Sequence, residues 1–165
     1  MRNRQLEDRF VNEVLPHRKI IYKVCHQYSN NSEDLNDLFQ EILFQVWKSL
    51  PNFQGKSKIS TWIYKISLNT AMCFLRREKR TVKTTDLSGI CFTIPEMKDN
   101  SDEQSELLKH IIGQLSEIEK AIILLHLDGF SYDEIASITG ISRTNVATRL
   151  TRIKQKLIKK HQNGL

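Results

Sequence analysis

The sequence predicts an all-α protein: two small helical domains joined by a flexible linker, the second a helix-turn-helix. Three observations carry that expectation. Six glycines and three prolines in 165 residues leave little punctuation for sheets or long loops. Apolar residues recur at three- and four-residue spacing along most of the chain. That period stops between Thr81 and Asp102, where Thr, Ser, Gly and Pro interrupt every stripe. The expected domains are therefore residues 1–80, an acidic linker over 81–102, and residues 103–165.

Each element has a local reason. A helix near 4–15 breaks at Pro16, and a second runs to about Tyr28. "SNNS" is a turn, after which Asn31 or Ser32 caps a long helix ending at Leu50. Leu35, Leu38, Ile42, Leu43, Val46, Trp47 and Leu50 form its apolar face, and Pro51 follows. "NFQGKSK" is a loop. The next helix, Ile59 to Arg80, is expected to bury Ile59, Trp62, Ile63, Ile66, Ala71, Phe74 and Leu75.

The second module starts near Glu103 with Leu107, Leu108, Ile111 and Ile112 on one helix. Ser116 to Glu119 reads as a capping box, opening a helix with Ile122, Ile123, Leu125 and Leu127 that closes at Gly129. Ser131 to Glu134 is a second capping box, ahead of a short helix with Ile135, Ala136 and Ile138. Gly140 supplies a left-handed turn, and Ser142 caps a last helix whose buried stripe is Val146, Leu150, Ile153 and Leu157.

Charge narrows the function. A net charge of +6 and a pI near 9.3 point to a polyanionic partner. Residues 56–83 hold eight bases against Glu78, and residues 86–106 hold six acids against Lys98. From Arg143 to the chain end there are seven Lys and Arg and no acid. No apolar run approaches the ~18 residues of a membrane span, and "MRNRQLEDRF" lacks a signal-peptide core. A cytoplasmic protein without membrane insertion is expected. Cys25, Cys73 and Cys91 have no CxxC spacing, so no metal is expected, and Cys25 and Cys73 read as buried thiols. His17, His26, His110, His126 and His161 form no group with Ser, Cys or acids, so neither a catalytic site nor a cofactor is expected.

A short helix, a turn on Gly140 and a longer basic helix make a helix-turn-helix. Opposite its buried stripe the last helix presents Thr144, Ala147, Thr148, Thr151 and Arg152, with Asn145 beside them. Thr148 and Thr151 can give hydrogen bonds or methyl contacts, and Arg152 can fork onto a guanine. Arg143, Arg149 and Lys154 lie on the shoulders and suit phosphates.

The first module adds the more specific signal. It contains "D-L-x-Q-E" at Asp37, Leu38, Gln40 and Glu41, and "F-x-G-x-S" at Phe53, Gly55 and Ser57. Thr61, Trp62, Ile63, Ile66 and Asn69 follow as "T-W-I-x-x-I-x-x-N", then Leu75, Arg76 and Arg77 as "L-R-R". Tyr132 to Ser142 reads "Y-x-E-I-A-x-x-x-G-I-S". In these motifs and their order the chain resembles the extracytoplasmic-function group of bacterial RNA polymerase sigma factors.

The resemblance implies a transcription initiation subunit with core RNA polymerase, promoter DNA and an anti-sigma factor as partners. It implies that Asp34, Asp37, Leu38, Gln40 and Glu41 dock on the polymerase clamp. It assigns promoter melting and single-strand capture to Asn52, Phe53, Gln54, Lys56, Lys58, Lys65, Asn69, Arg76 and Arg77. Single-strand capture needs cations for phosphates and a pocket for an unstacked base, which these residue types supply. Trp62, by its helical position, is expected in the core. The linker is either a strand threading towards the active cleft or an acidic tether. Two other classes stand beside this one. A dimeric repressor would show a two-fold footprint. A DNA-processing enzyme would need a nucleophile or a carboxylate cluster, which the sequence lacks.

Overall fold

The computed structural model describes residues 2–80 and 103–163. Among them there are helices and turns and no strand. The chain divides into two compact units, Met1–Ser101 and Asp102–Leu165. The linker expected over 81–102, with Cys91, lies outside the described residues.

In the first unit the helical path that begins with α1 (Arg2–Arg9) does not break at Pro16. It widens into a π turn at Phe10–Val14 and tightens into a 3₁₀ turn at Leu15–His17, then continues as α2 (Arg18–Tyr28). Proline removes one helical hydrogen bond and crowds the carbonyl before it, so the register shifts instead of the chain leaving the helix. The Asn31 side chain accepts the Asp34 backbone N–H at 2.8 Å and starts α3 (Ser32–Ser49). A 3₁₀ turn at Leu50–Asn52 and a loop lead to α4 (Ile59–Arg80).

α2, α3 and α4 pack on one another. Ile21, Val24, Tyr28, Leu38, Ile42, Val46, Leu50, Ile63, Tyr64 and Leu68 fill the space between them. The buried face of α4 differs from the expected one. Tyr64, Ser67, Leu68, Thr70 and Met72 go inside with Ile63 and Ala71, while Ile59, Trp62, Ile66, Phe74 and Leu75 are only half-buried. Packing against two helices widens the buried arc beyond one apolar stripe. Ser67 enters it because its hydroxyl donates to the Ile63 carbonyl at 2.7 Å, leaving no unpaired donor. Cys73 is exposed, against expectation, because it lies on the outer arc with Lys65, Asn69 and Arg76. Cys25 is buried as expected, and burial pushes its thiol far up, outweighing an opposing backbone hydrogen bond.

The second unit contains α5 (Glu103–Gly113), α6 (Glu117–Leu127), α7 (Tyr132–Thr139) and α8 (Arg143–Asn163). Both capping boxes form. Ser116 and Ser131 each accept the N–H of a glutamate three residues on, and Glu119 and Glu134 accept in return. Gly140 has φ +78°, and its N–H donates to the Ala136 carbonyl at 2.9 Å. No neighbour lies within 4 Å of where its Cβ would be, so glycine serves the backbone conformation and not a close approach. The Ser142 hydroxyl accepts from Asn145 N–H at 3.1 Å. Ile122, Leu125, Ile135, Ile138, Val146, Leu150 and Ile153 form the core where α6, α7 and α8 meet. Leu127 is 58 % exposed and Leu124 is buried in its place. In the unbroken run "AIILLHL" apolarity carries no period, so packing alone decides which residue turns out.

α8 is latched to the start of α6. Lys156 Nζ donates to Glu119 Oε1 at 2.8 Å, and Lys160 Nζ donates to Gln114 Oε1. Partial burial disfavours the Glu119 charge, but bonds from Lys156 and from the Ser116 cap outweigh it and hold the carboxyl below its usual range. A depressed carboxylate pKa stabilises the fold above the unfolded-state pKa, and that contribution is lost as pH falls through the folded one. Glu119→Gln keeps a capping amide and removes the ion pair. It should lower stability by about 0.5–1 kcal/mol at pH 7, since Lys156 stays half exposed. Thermal melts from neutral to acid pH should show variant and parent converging as the parent carboxylate protonates.

Candidate nucleic-acid and partner surfaces

The first turns of α3 gather Glu33, Asp34, Asp37 and Glu41 on a helix whose single base is Lys48. Asp37 and Gln40 are exposed and Glu41 is half-buried. Leu38 is fully buried, so within the "D-L-x-Q-E" motif its part is to seat the helix and not to touch a partner. Phe44, one turn beyond Gln40 and Glu41, is 57 % exposed, a large apolar group on this polar face that the sequence reading left out.

The end of α4 returns alongside this face. Burial, followed by the charge of Asp34, a side-chain hydrogen bond with Asp34 and the charge of Asp37, pushes the Glu78 carboxyl up. Burial and the charges of Glu33 and Asp34 push Asp37 up as well. The acids repel one another in the free protein. Arg77 Nη2 lies 3.7 Å from Glu41 Oε1, which also accepts from Gln45 Nε2 at 3.1 Å. An expected docking acid and an expected DNA-binding base are thus neighbours.

The loop after α3 makes a pocket of about 180 Å³ lined by Asn52, Phe53, Gln54, Lys56, Ser57 and Trp62. Phe53 N–H donates to the Leu50 carbonyl at 3.1 Å, and Gly55 takes φ +70° at the loop's bend. The Phe53 and Trp62 rings lie 4.8 Å apart at 41°. Trp62 is therefore a pocket wall and not the core residue its helical position suggested. Its half-buried ring leans on Phe53, which only the loop's path brings near. Lys58, Lys65, Asn69 and Arg76 are exposed beyond the pocket. The arrangement offers aromatic and amide groups to one small planar group, with cations to either side.

In α8 the expected DNA face is outward: Thr144, Asn145, Thr148, Thr151 and Arg152 are exposed, and Ala147 is half-buried. Arg149 Nε donates to Asn145 Oδ1 at 2.9 Å, which holds the guanidinium along the helix. Arg143 Nε sits 3.4 Å from Asp133 Oδ1, both side chains being largely exposed. Among the described residues no His, Cys, Asp and Glu group is arranged to hold a metal ion, and no helix is long and apolar enough to cross a membrane.

Residues 14–81 match the family described as Sigma-70 region 2, and residues 105–157 match Sigma-70, region 4. Those matches define the chain as a bacterial transcription initiation factor of the sigma-70 type. It is similar to the ECF RNA polymerase sigma-E factor of Escherichia coli (strain K12), 31% identical over 144 residues, covering 79% of this chain and 75% of that protein. It is also similar to the RNA polymerase sigma factor SigV of Bacillus subtilis (strain 168), 29% identical over 140 residues, covering 84% and 82%. The chain belongs to the extracytoplasmic-function (ECF) family of RNA polymerase sigma factors. The fold agrees. The sigma factor RpoE of Bartonella quintana, solved with the anti-sigma factor NepR, superposes with TM-score 0.69 at 21% identity, over 93% of this chain and 96% of that one. CnrH, solved with the cytosolic domain of CnrY, gives 0.68 at 19%, over 95% and 90%.

The acidic cluster makes a testable statement about the free protein. A carboxyl whose folded pKa is raised weakens the fold while ionised, and the penalty is relieved as pH falls through that raised value. Glu78→Gln should therefore raise the melting temperature at pH 7. In melts at successively lower pH the gap should close as Glu78 in the parent takes up its proton.

Proposed function

We propose that the chain docks on core RNA polymerase through the start of α3, melts promoter DNA with the 52–58 loop and the outer arc of α4, and reads upstream duplex with α8. The observation that carries this reading is the layout of the first unit. One pair of packed helices presents an acidic face at one end and an aromatic, cation-flanked pocket at the loop joining them. An acidic face suits a protein partner and repels DNA; the pocket and cations suit a displaced strand. The chain performs no chemistry itself: it acts in the cytoplasm by directing the polymerase. Asp34, Asp37, Gln40 and Glu41 form the docking face, with Leu38 beneath them. Asn52, Phe53, Gln54, Lys56, Lys58, Lys65, Asn69 and Arg76 serve the single strand, and Arg77 joins them once its pairing with Glu41 is exchanged. An anti-sigma factor is the fitting regulator, covering these surfaces as a competitor; the structural similarity to a sigma factor solved with one supports that partner.

Asp37→Ala with Gln40→Ala should weaken co-elution with core polymerase about tenfold or more, roughly 1.4 kcal/mol, while helix content stays unchanged. Unaltered co-elution would remove the docking assignment.

The melting assignment has a sharper test. A variant with Asn52, Lys56 and Asn69 changed to Ala should still form a closed complex with polymerase and promoter. Permanganate should then find the thymines near the start site unreactive. A template carrying a mismatched bubble should restore transcription, because unpairing has been done beforehand. Normal opening by the variant, or no relief from the bubble, would show the loop to be a structural connection only.

A further inference from the structure

The exposed threonines of α8 are not equivalent to free hydroxyls. Thr148 Oγ1 donates to the Thr144 carbonyl at 3.0 Å, and Thr151 Oγ1 donates to the Ala147 carbonyl at 3.1 Å. A hydroxyl has one proton to give. With that proton held by the helix, neither side chain can donate to O6 or N7 of guanine or to N7 of adenine. What each still offers outward is its γ-methyl group and spare acceptor capacity. Ala147 adds a third methyl one turn before Thr151.

The neighbouring polar groups are committed too. Asn145 Oδ1 accepts from Arg149, which takes up one of its two acceptor positions. Arg152 is an exposed charged donor on this face. The middle of α8 is thus a strip of methyl groups beside one guanidinium. In the major groove the C5-methyl of thymine is the apolar feature a base pair presents.

We infer that Ala147, Thr148 and Thr151 select thymine through its methyl group, at two adjacent base pairs of the upstream promoter element. The spacing suits neighbouring pairs: three residues of helix advance about 4.5 Å, against about 3.4 Å per base step. Methyl contacts carry no directional bond, so the selection is by shape and desolvation. The inference rests on α8 being the duplex-reading helix, as proposed above.

The test separates methyl from hydroxyl. Full-length chain and core polymerase select duplexes from a library randomised over the upstream element, and the chosen thymines are then replaced by deoxyuridine, which lacks only the methyl. Each replacement should lower affinity about fourfold, the effect of one buried methyl. Thr148→Val keeps a methyl and loses the hydroxyl, and should bind within twofold of the parent. Thr148→Ser keeps the hydroxyl and loses the methyl. It should lose about fourfold and stop responding to deoxyuridine at one position. A serine variant equal to the parent beside a weakened valine variant, or indifference to deoxyuridine, would overturn the inference. Arg152→Ala distinguishes the failures. If it relaxes selection at one position while deoxyuridine has no effect, only the methyl reading falls. If Arg152→Ala and both threonine variants leave the selected sequences unchanged, α8 does not face the duplex and the broader reading falls with it.

Discussion

The surfaces of the first unit depend on α4 being held against both α2 and α3. Ile63, Tyr64, Ser67, Leu68 and Ala71 make that seam, and all are at most 1 % exposed. A helix gripped on two sides has little freedom to rotate, since turning it by one residue would bury Lys65 or Asn69 and expose Tyr64. Interiors are close-packed, so such a shift costs both cavity and unpaired polar groups. The seam therefore fixes the outer arc, on which Lys65, Asn69, Cys73 and Arg76 follow one another at helical spacing. It also brings the end of α4 against the start of α3, which sets Arg77 beside Glu41 and Glu78 beside Asp34. A packing constraint thus decides where charge appears.

The charge so placed is uncomfortable in isolation. Asp37 and Glu78 have raised carboxyls because they are partly desolvated among like charges. A cation brought to this face would relieve that repulsion. The Arg77–Glu41 contact is half-exposed and weak, of the order of 0–1 kcal/mol. It holds neither group firmly.

What was legible in the sequence was local. Ser116, Ser131, Gly140 and Ser142 announce their helix ends because a cap is decided within four residues of chain, and the structure has them all. The outward face of α8 was legible because Val146, Leu150 and Ile153 recur at helical spacing and are buried, although Leu157, expected in the same stripe, is only half-buried. The misjudged residues sit where tertiary packing decides. Ser67 and Thr70 are polar and buried, Cys73 is apolar enough to look buried, and α4 has two neighbours instead of one. The helix position of Trp62 points to the core, but the path of Phe53 and Gly55 makes it a pocket wall. The direction of the Thr148 and Thr151 hydroxyls has no sequence signal at all, because either rotamer is open to a helical threonine.

The cations of α8 divide into two groups by what already holds them. Lys156 is bonded to Glu119, whose side chain is only 12 % exposed, and Lys160 is bonded to Gln114. Drawing Lys156 away would leave the part-buried Glu119 carboxylate with only its Ser116 cap bond, so the pairing favours keeping this lysine with the fold. Arg143 is different. Its partner Asp133 is 76 % exposed and can be left to water at little cost. Arg152 and Lys154 are exposed on the same stretch of helix. Of the seven bases on α8, Lys156 and Lys160 are therefore already bonded to residues outside the helix. Its second half anchors the helix through two lysines, and its first half carries the recruitable charge next to the strip of methyl groups. That division fixes one end of the acid-free helix to its own domain and leaves Arg143, Arg152 and Lys154 exposed along the rest of it.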